Sequence, residues 1–242
     1  MTSAENSLAS HTAFRGMMPI LPTAITSAGD VDETSQRRLV QYCLKCGAVA
    51  IGHFGIASEF HKVPDHARQY LTEIIVDEVA GRVPVFIGVT APGVGTSLNY
   101  ARQAEQLGAD LIMAALPYVD WQDGDGASDY YAALAEATTL PIIIQDTPAS
   151  SAILTAELLH RMEREIPGVQ HVKAEGKNFL TKTARLLELS GGRMSVIGGA
   201  GGKHLLHLLR MGVTSFMTGT EALDLHAGAV TAYLAGETEQ AA

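Results

Sequence analysis

One rhythm governs the chain from Gly16 onward: a short apolar, β-branched run, then a longer segment whose apolar residues recur at helical spacing. The runs are Met17–Ile25, Val49–Phe54, Pro84–Ala91, Asp110–Pro117, Pro141–Thr147, Val169–Glu175, Met194–Gly199 and Thr214–Thr220. The helical segments lie near 33–46, 64–80, 96–107, 128–138, 155–165, 178–189, 202–211 and 221–235. Several runs are apolar on both faces, as strands of a buried parallel sheet must be. Gly47, Gly81, Gly108, Gly191 and Gly212 follow helical segments, where a left-handed C-cap favours glycine. Pro84 and Pro141 open strands, where a missing N–H does little harm. Eight such units with no break in composition predict an α/β chain of the (β/α)8 TIM-barrel class. The barrel domain spans 15–236, between a loose N-terminal tail at 1–14 and a C-terminal tail at 237–242. The alternative, a doubly wound open sheet, usually carries a phosphate loop after its first strand, and Thr26-Ser-Ala-Gly-Asp30 is not such a loop.

Composition excludes several functions. The net charge of −9 and the absence of a basic cluster argue against a nucleic-acid partner. No apolar run approaches the ~20 residues of a membrane span. The polar start lacks the apolar core of a signal peptide. Cys43 and Cys46 fall in a helical segment with no second pair to complete a zinc site, so they read as packing residues. Two thiols without a disulfide framework predict a cytoplasmic setting.

Barrels carry their chemistry on the loops after the strands. Of the six lysines, Lys45, Lys62, Lys177, Lys182 and Lys203 fall in helices or loops, whereas Lys173 sits inside Val169-Gln-His-Val-Lys-Ala-Glu175. Alternation puts Lys173 on one face with His171 and Glu175, opposite Val172 and Ala174, and aims it into the barrel mouth. An ammonium there must be paired or deprotonated. Desolvation makes the amine nucleophilic towards carbonyls; the other reading is a structural ion pair with Glu175.

Five motifs in order then resemble the dihydrodipicolinate synthase / N-acetylneuraminate lyase family of Schiff-base barrels. Gly16-Met-Met-Pro-Ile-Leu-Pro-Thr23 looks like its first strand. Gly55-Ile-Ala-Ser-Glu59 stands in place of its Gly-Thr-Thr-Gly-Glu loop. Gly108-Ala-Asp-Leu-Ile-Met with Leu116-Pro-Tyr118 looks like its fourth strand and following loop. Val172-Lys173 falls at its Schiff-base lysine, and Ile197-Gly198 resembles the glycine turn after strand seven. Pro141-Ile-Ile-Ile-Gln-Asp-Thr-Pro-Ala-Ser150, Met162-Glu-Arg-Glu-Ile166 and Lys173-Ala-Glu175 are similar to the 2-keto-3-deoxy-L-arabonate dehydratase branch of that family.

The resemblance implies a lysine imine on Lys173, no metal or organic cofactor, and a small 2-keto acid as substrate. The departures are informative. The condensing and cleaving members carry a proton-relaying tyrosine on strand five, where this chain has Gln145, an amide that does not titrate. Their paired threonines after strand two are Ile56 and Ala57 here, whose backbone amides can still bind a carboxylate. Family members continue into a helical extension that this chain lacks for the most part, which predicts a homo-oligomer covering the exposed apolar surface.

The favoured reading is a dehydratase for a 2-keto-3-deoxy sugar acid. Lys173, Gln145 and Tyr118 are its candidate catalytic residues. Ile56, Ala57, Ser58, Glu59, Glu175 and Gly198 are its candidate substrate contacts. The alternatives are an aldolase that releases pyruvate and a keto-acid-binding homologue without turnover. Gly198-Gly-Ala-Gly-Gly202 reads as a tight turn or carboxylate contact, with a phosphate site as the lesser reading. His53, His61 and His66 gather near strand two, but their spacing matches no helix-borne metal pair.

Overall fold

A computed structural model describes residues 14–237, apart from 119–122 and 151, together with residue 239. The expected tails therefore lie almost wholly outside the described residues. Strands and helices alternate throughout: β1 (Gly16–Met17), α1 (Glu33–Lys45), β2 (Ile51–His53), α2 (Asp65–Val79), β3 (Val85–Gly88), α3 (Val94–Gln106), β4 (Leu111–Ala114), α4 (Gly124–Ala137), β5 (Ile142–Asp146), α5 (Ala156–Glu165), β6 (Val169–Ala174), α6 (Phe179–Ser190), β7 (Ser195–Gly198), α7 (Leu205–Arg210), β8 (Ser215–Phe216) and α8 (Leu223–Leu234). Local chemistry sets several boundaries. Asp32, Asp123 and Thr155 cap α1, α4 and α5 by accepting the amides of Ser35, Gly126 and Leu158. Gly191, at φ 58°, ends α6 in the left-handed region.

All strand pairs are parallel, in the order β1-β8-β7-β6-β5-β4-β3-β2. The two ends of this series meet. Gly52 donates to the Pro19 carbonyl at 2.9 Å, and the Leu21 amide donates to Gly52 at 2.8 Å. The sheet is thus a closed (β/α)8 barrel. Met18, Ile20, Phe86, Leu111, Met113, Ile143, Ile197 and Met217 fill its lumen. Val172 and Ala174 pack outward in the larger core shared with the helices, which leaves His171 and Lys173 facing inward, as alternation predicts. No helix among the described residues is long and apolar enough to cross a membrane.

Three expectations need correction. The first strand does not run from Met17 to Ile25: its regular part is Gly16–Met17, bonds to the neighbouring strands continue from Met18, Ile20 and Leu21, and Ile25 bridges Val31 instead. The seventh helix begins at Leu205 rather than 202, because Ala200–Gly202 winds into a 3-10 turn. Phe14 belongs to the barrel base rather than to a tail. Its ring lies 5.6 Å from that of His171, and its carbonyl accepts the Thr214 hydroxyl at 3.1 Å.

Candidate active site

Lys173 and Gln145 are direct register partners on β6 and β5, near the C-terminal ends of both strands. Both are buried. Glu175, two residues beyond Lys173, joins them. The Lys173 Nζ lies 3.2 Å from Glu175 Oε1, and the Gln145 Nε2 donates to Glu175 Oε2 at 2.8 Å. The Ala200 amide, from the glycine-rich turn after β7, approaches Glu175 Oε1 at 3.4 Å. Both carboxylate oxygens are therefore engaged, and the charge of the ammonium is matched inside the barrel mouth. The ion pair foreseen as the structural reading of Lys173 is present, and it sits where a proton could pass from amine to carboxylate.

Gly199 makes this arrangement sterically possible. A Cβ there would stand 2.3 Å from Glu175 Cγ and 3.1 Å from the Ala174 carbonyl oxygen. Gly199→Ala must push the Glu175 side chain aside. We expect a stability loss of about 1–3 kcal/mol from overpacking and a fall in turnover on the order of 10²-fold from the misplaced carboxylate. Denaturant melts and steady-state rates on the same preparation check both numbers.

A cavity of about 560 Å³ opens from Gln145 over the loops after β2, β3, β4 and β5. Ile56, Thr90, Leu116, Tyr118 and Thr147 are among its walls. Gln145 is the member of the Gln145–Glu175–Lys173 group that lines this cavity. Tyr118 is exposed at the rim, with its ring 6.4 Å from that of Phe60; residues 119–122 of its loop lie outside the described residues. Ile56 opens a 3-10 turn, Ile56–Ser58. The amides of Ser58 and Glu59 donate to the Gly55 and Ile56 carbonyls at 3.0 and 2.9 Å. Among the described residues neither the Ile56 nor the Ala57 amide donates to a carbonyl outside its own 3-10 turn.

Three candidate contacts fall elsewhere. Ser58 is buried and spends its hydroxyl on the Leu21 carbonyl at 2.6 Å, an anchor for the loop. Glu59 turns outward to Lys62 at 2.5 Å, with both side chains largely exposed. Gly198 is a ladder residue: it pairs with Ala174, and its carbonyl accepts the Met217 amide at 2.8 Å. Ser58, Glu59 and Gly198, expected as substrate contacts, have these partners in the structure. The glycine-rich turn contributes Gly199 and the Ala200 amide instead.

The three histidines near strand two diverge. His61 borders the cavity, while His66 borders a separate depression against α2. His53 is fully buried, with Nε2 3.4 Å from Thr23 Oγ1, and burial pulls its imidazole down to about 3, so it is neutral at physiological pH. Among the described residues no three His, Cys, Asp or Glu side chains converge as a metal site.

One pair escaped sequence reasoning. Asp146, the last residue of β5, points outward and is buried, with Oδ2 2.7 Å from Lys182 Nζ on α6. Burial raises its carboxyl above the ordinary value, and the lysine opposes that shift. Its carbonyl also accepts the Glu175 amide at 3.3 Å, so it braces the backbone of Glu175.

Comparison with known proteins extends over the same span. A model of the dihydrodipicolinate synthetase family matches residues 13–242. An L-2-keto-3-deoxyarabonate dehydratase from Azospirillum brasilense is 34% identical over 233 residues, covering 92% of this chain and 68% of that protein. A 4-hydroxy-tetrahydrodipicolinate synthase from Phocaeicola vulgatus is 26% identical over 192 residues, covering 79% of this chain and 64% of that protein. The chain thus spans about two thirds of the length of these curated relatives. Among solved structures, a dihydrodipicolinate synthase from Thermotoga maritima superposes with a TM-score of 0.88 at 23% identity, over 95% of this chain and 79% of that one, a likeness of fold.

Proposed function

The chain belongs to the dihydrodipicolinate synthetase family, a family of lyases, and on that premise we propose that it dehydrates a 2-keto-3-deoxy sugar acid of the 2-keto-3-deoxy-L-arabonate type through an imine on Lys173. The observation that carries this reading is the chain of contacts Gln145–Glu175–Lys173, in which the strand-five partner of the lysine is an amide.

The steps balance without a cofactor. The Lys173 ammonium gives a proton to Glu175, and the freed amine attacks the C2 carbonyl. The carbinolamine oxygen takes that proton back from Glu175 and leaves as water, which gives a cationic imine and restores the Glu175 carboxylate. That cation is an electron sink, so a proton at C3 becomes acidic. Glu175, held beside Nζ, is the carboxylate we assign to take it. The electron pair moves into an enamine, then expels the C4 hydroxyl, which takes a proton from Glu175 and leaves as water. Proton transfer from C5 to C3 then gives a C4–C5 enol, which tautomerises to the aldehyde by gaining a proton at C4 and losing the hydroxyl proton; hydrolysis of the imine restores Lys173 and yields 2-oxoglutarate semialdehyde. Gln145 holds Glu175 in place and does not itself titrate. The amides of Ile56 and Ala57 are assigned to the substrate carboxylate, and Tyr118 to the rim over the sugar chain.

The aldolase reading divides the same imine differently: breaking C3–C4 requires a base for the C4 hydroxyl. NMR of the products from 2-keto-3-deoxy-L-arabonate separates the readings. Semialdehyde as the main product supports dehydration. Pyruvate with glycolaldehyde would replace it by aldol cleavage, and binding without product would leave a keto-acid-binding protein.

A further inference from the structure

Arg68 is a buried arginine that makes no ion pair among the described residues; Asp65, one turn earlier on the helix, acts on it through space and accepts the Tyr100 hydroxyl. It lies in the first turns of α2 and is 4% exposed. Among the described residues no carboxylate reaches ion-pair distance of its guanidinium. The guanidinium is instead sandwiched between the rings of Phe54 and Tyr100, each centroid 4.0 Å from Cζ. Its Nη2 donates to the Gly88 carbonyl at 2.6 Å. Burial lowers the arginine to about 10, which still leaves it charged at neutral pH. Aromatic faces and a carbonyl offset part of the desolvation of such a cation.

What this clamp holds is an unusual piece of backbone. Phe54 has φ 62°, in the left-handed region that bulky side chains avoid. Such a residue persists where its surroundings over-determine it. Two constraints act here. The Arg68 guanidinium sits on the Phe54 ring, and the Phe54 carbonyl is lodged against Gly88, where a Cβ would come within 2.2 Å of the oxygen. Arg68 binds both sides of that contact, stacking on Phe54 and bonding Gly88. The turn at Phe54 carries the chain from β2 into Gly55, Ile56 and Ala57, and Ile56 walls the cavity.

We infer that Arg68 is a positioning residue for substrate binding: it locks the Phe54 turn so that the amides of Ile56 and Ala57 face the carboxylate of the keto acid. This rests on the proposed function. Arg68 acts through Phe54 and Gly88 and touches no substrate.

Borohydride trapping on Lys173 with two probes tests the idea: pyruvate, which has the carboxylate, and butan-2-one, which lacks it. Arg68→Met should raise the half-saturating pyruvate concentration by about tenfold or more, with the limiting trapping rate and the butan-2-one rate within about threefold of wild type. Phe54→Leu keeps Arg68 and removes the ring it clamps, so it should give the same split, and it decides the matter if Arg68→Met fails to fold. Equal losses for both probes would make Arg68 a general structural residue and overturn the inference. An unchanged pyruvate response would overturn it too. Failure of wild-type protein to trap pyruvate at Lys173 is a different result: it removes the imine reading, and this inference falls with it.

Discussion

Replacing Lys173 with alanine should leave a folded barrel that borohydride no longer couples to any 2-keto acid. Imine formation needs an amine whose electron pair is free, close to a carbonyl and shielded from water. Lys173 is buried at the barrel mouth, with Glu175 Oε1 3.2 Å from its Nζ, the placement that the proposed reaction requires. Two other lysines are held differently: Lys62 is exposed on Glu59, and Lys182 is paired with Asp146 outside the barrel lumen. Intact-mass analysis after reduction, followed by peptide mapping, should find the adduct on Lys173 in the wild type and none in Lys173→Ala. Glu175 keeps the Gln145 and Ala200 donors in the variant, so the stability loss should stay at about 1–3 kcal/mol. Labelling of another lysine at wild-type rates would remove Lys173 from the chemistry.

Glu175→Gln should separate covalent capture from turnover. The amide keeps the volume of the carboxylate but cannot accept a proton from C3 or return one to the leaving oxygen. Trapping with pyruvate should survive, because the amine that forms the imine is still in place. Dehydration should fall by about 10²–10⁴-fold, the usual worth of a positioned acid–base group, and the limb of the pH–rate profile due to the carboxylate should vanish. Gln145→Ala removes only a donor to Glu175 and should slow semialdehyde formation less, without releasing pyruvate. A Glu175→Gln enzyme that dehydrates at the wild-type rate would move the proton chemistry to another group, with Tyr118 the first to examine.

The repeating alternation of runs and helices was enough to read the barrel, because parallel strands buried on both faces must be apolar and their connections must be helical. The inward aim of Lys173 followed from strand alternation alone. Other features depended on partners far along the chain. Ser58 looked available for substrate, yet its hydroxyl is bound to Leu21, 37 residues away. Gly199 gains its meaning from Glu175, and Asp146 from Lys182 on the next helix but one in sequence. Pro19 and Pro22 stand inside the first run, where each leaves the strand one donor short. Arg68 left a legible trace: it falls on the same helical stripe as Leu71, Ile75 and Val79, all buried. A charged residue on an apolar stripe marks a place where a fold needs a cation indoors.

The closure of the sheet has a consequence in time. Gly16 bonds to Thr214, and the Phe14 carbonyl to the Thr214 hydroxyl, across 200 residues of chain. During synthesis the first strand waits for the eighth to emerge before it gains that neighbour, while β2 to β7, which carry Lys173 and Gln145 and lead into Glu175, each find theirs from the unit just made. Long-range pairing of this kind is slow because the intervening chain must be ordered first. The ribosome therefore delivers the chemical groups early and the seam late, and an incomplete barrel with its edge strands open is the species that chaperones would meet.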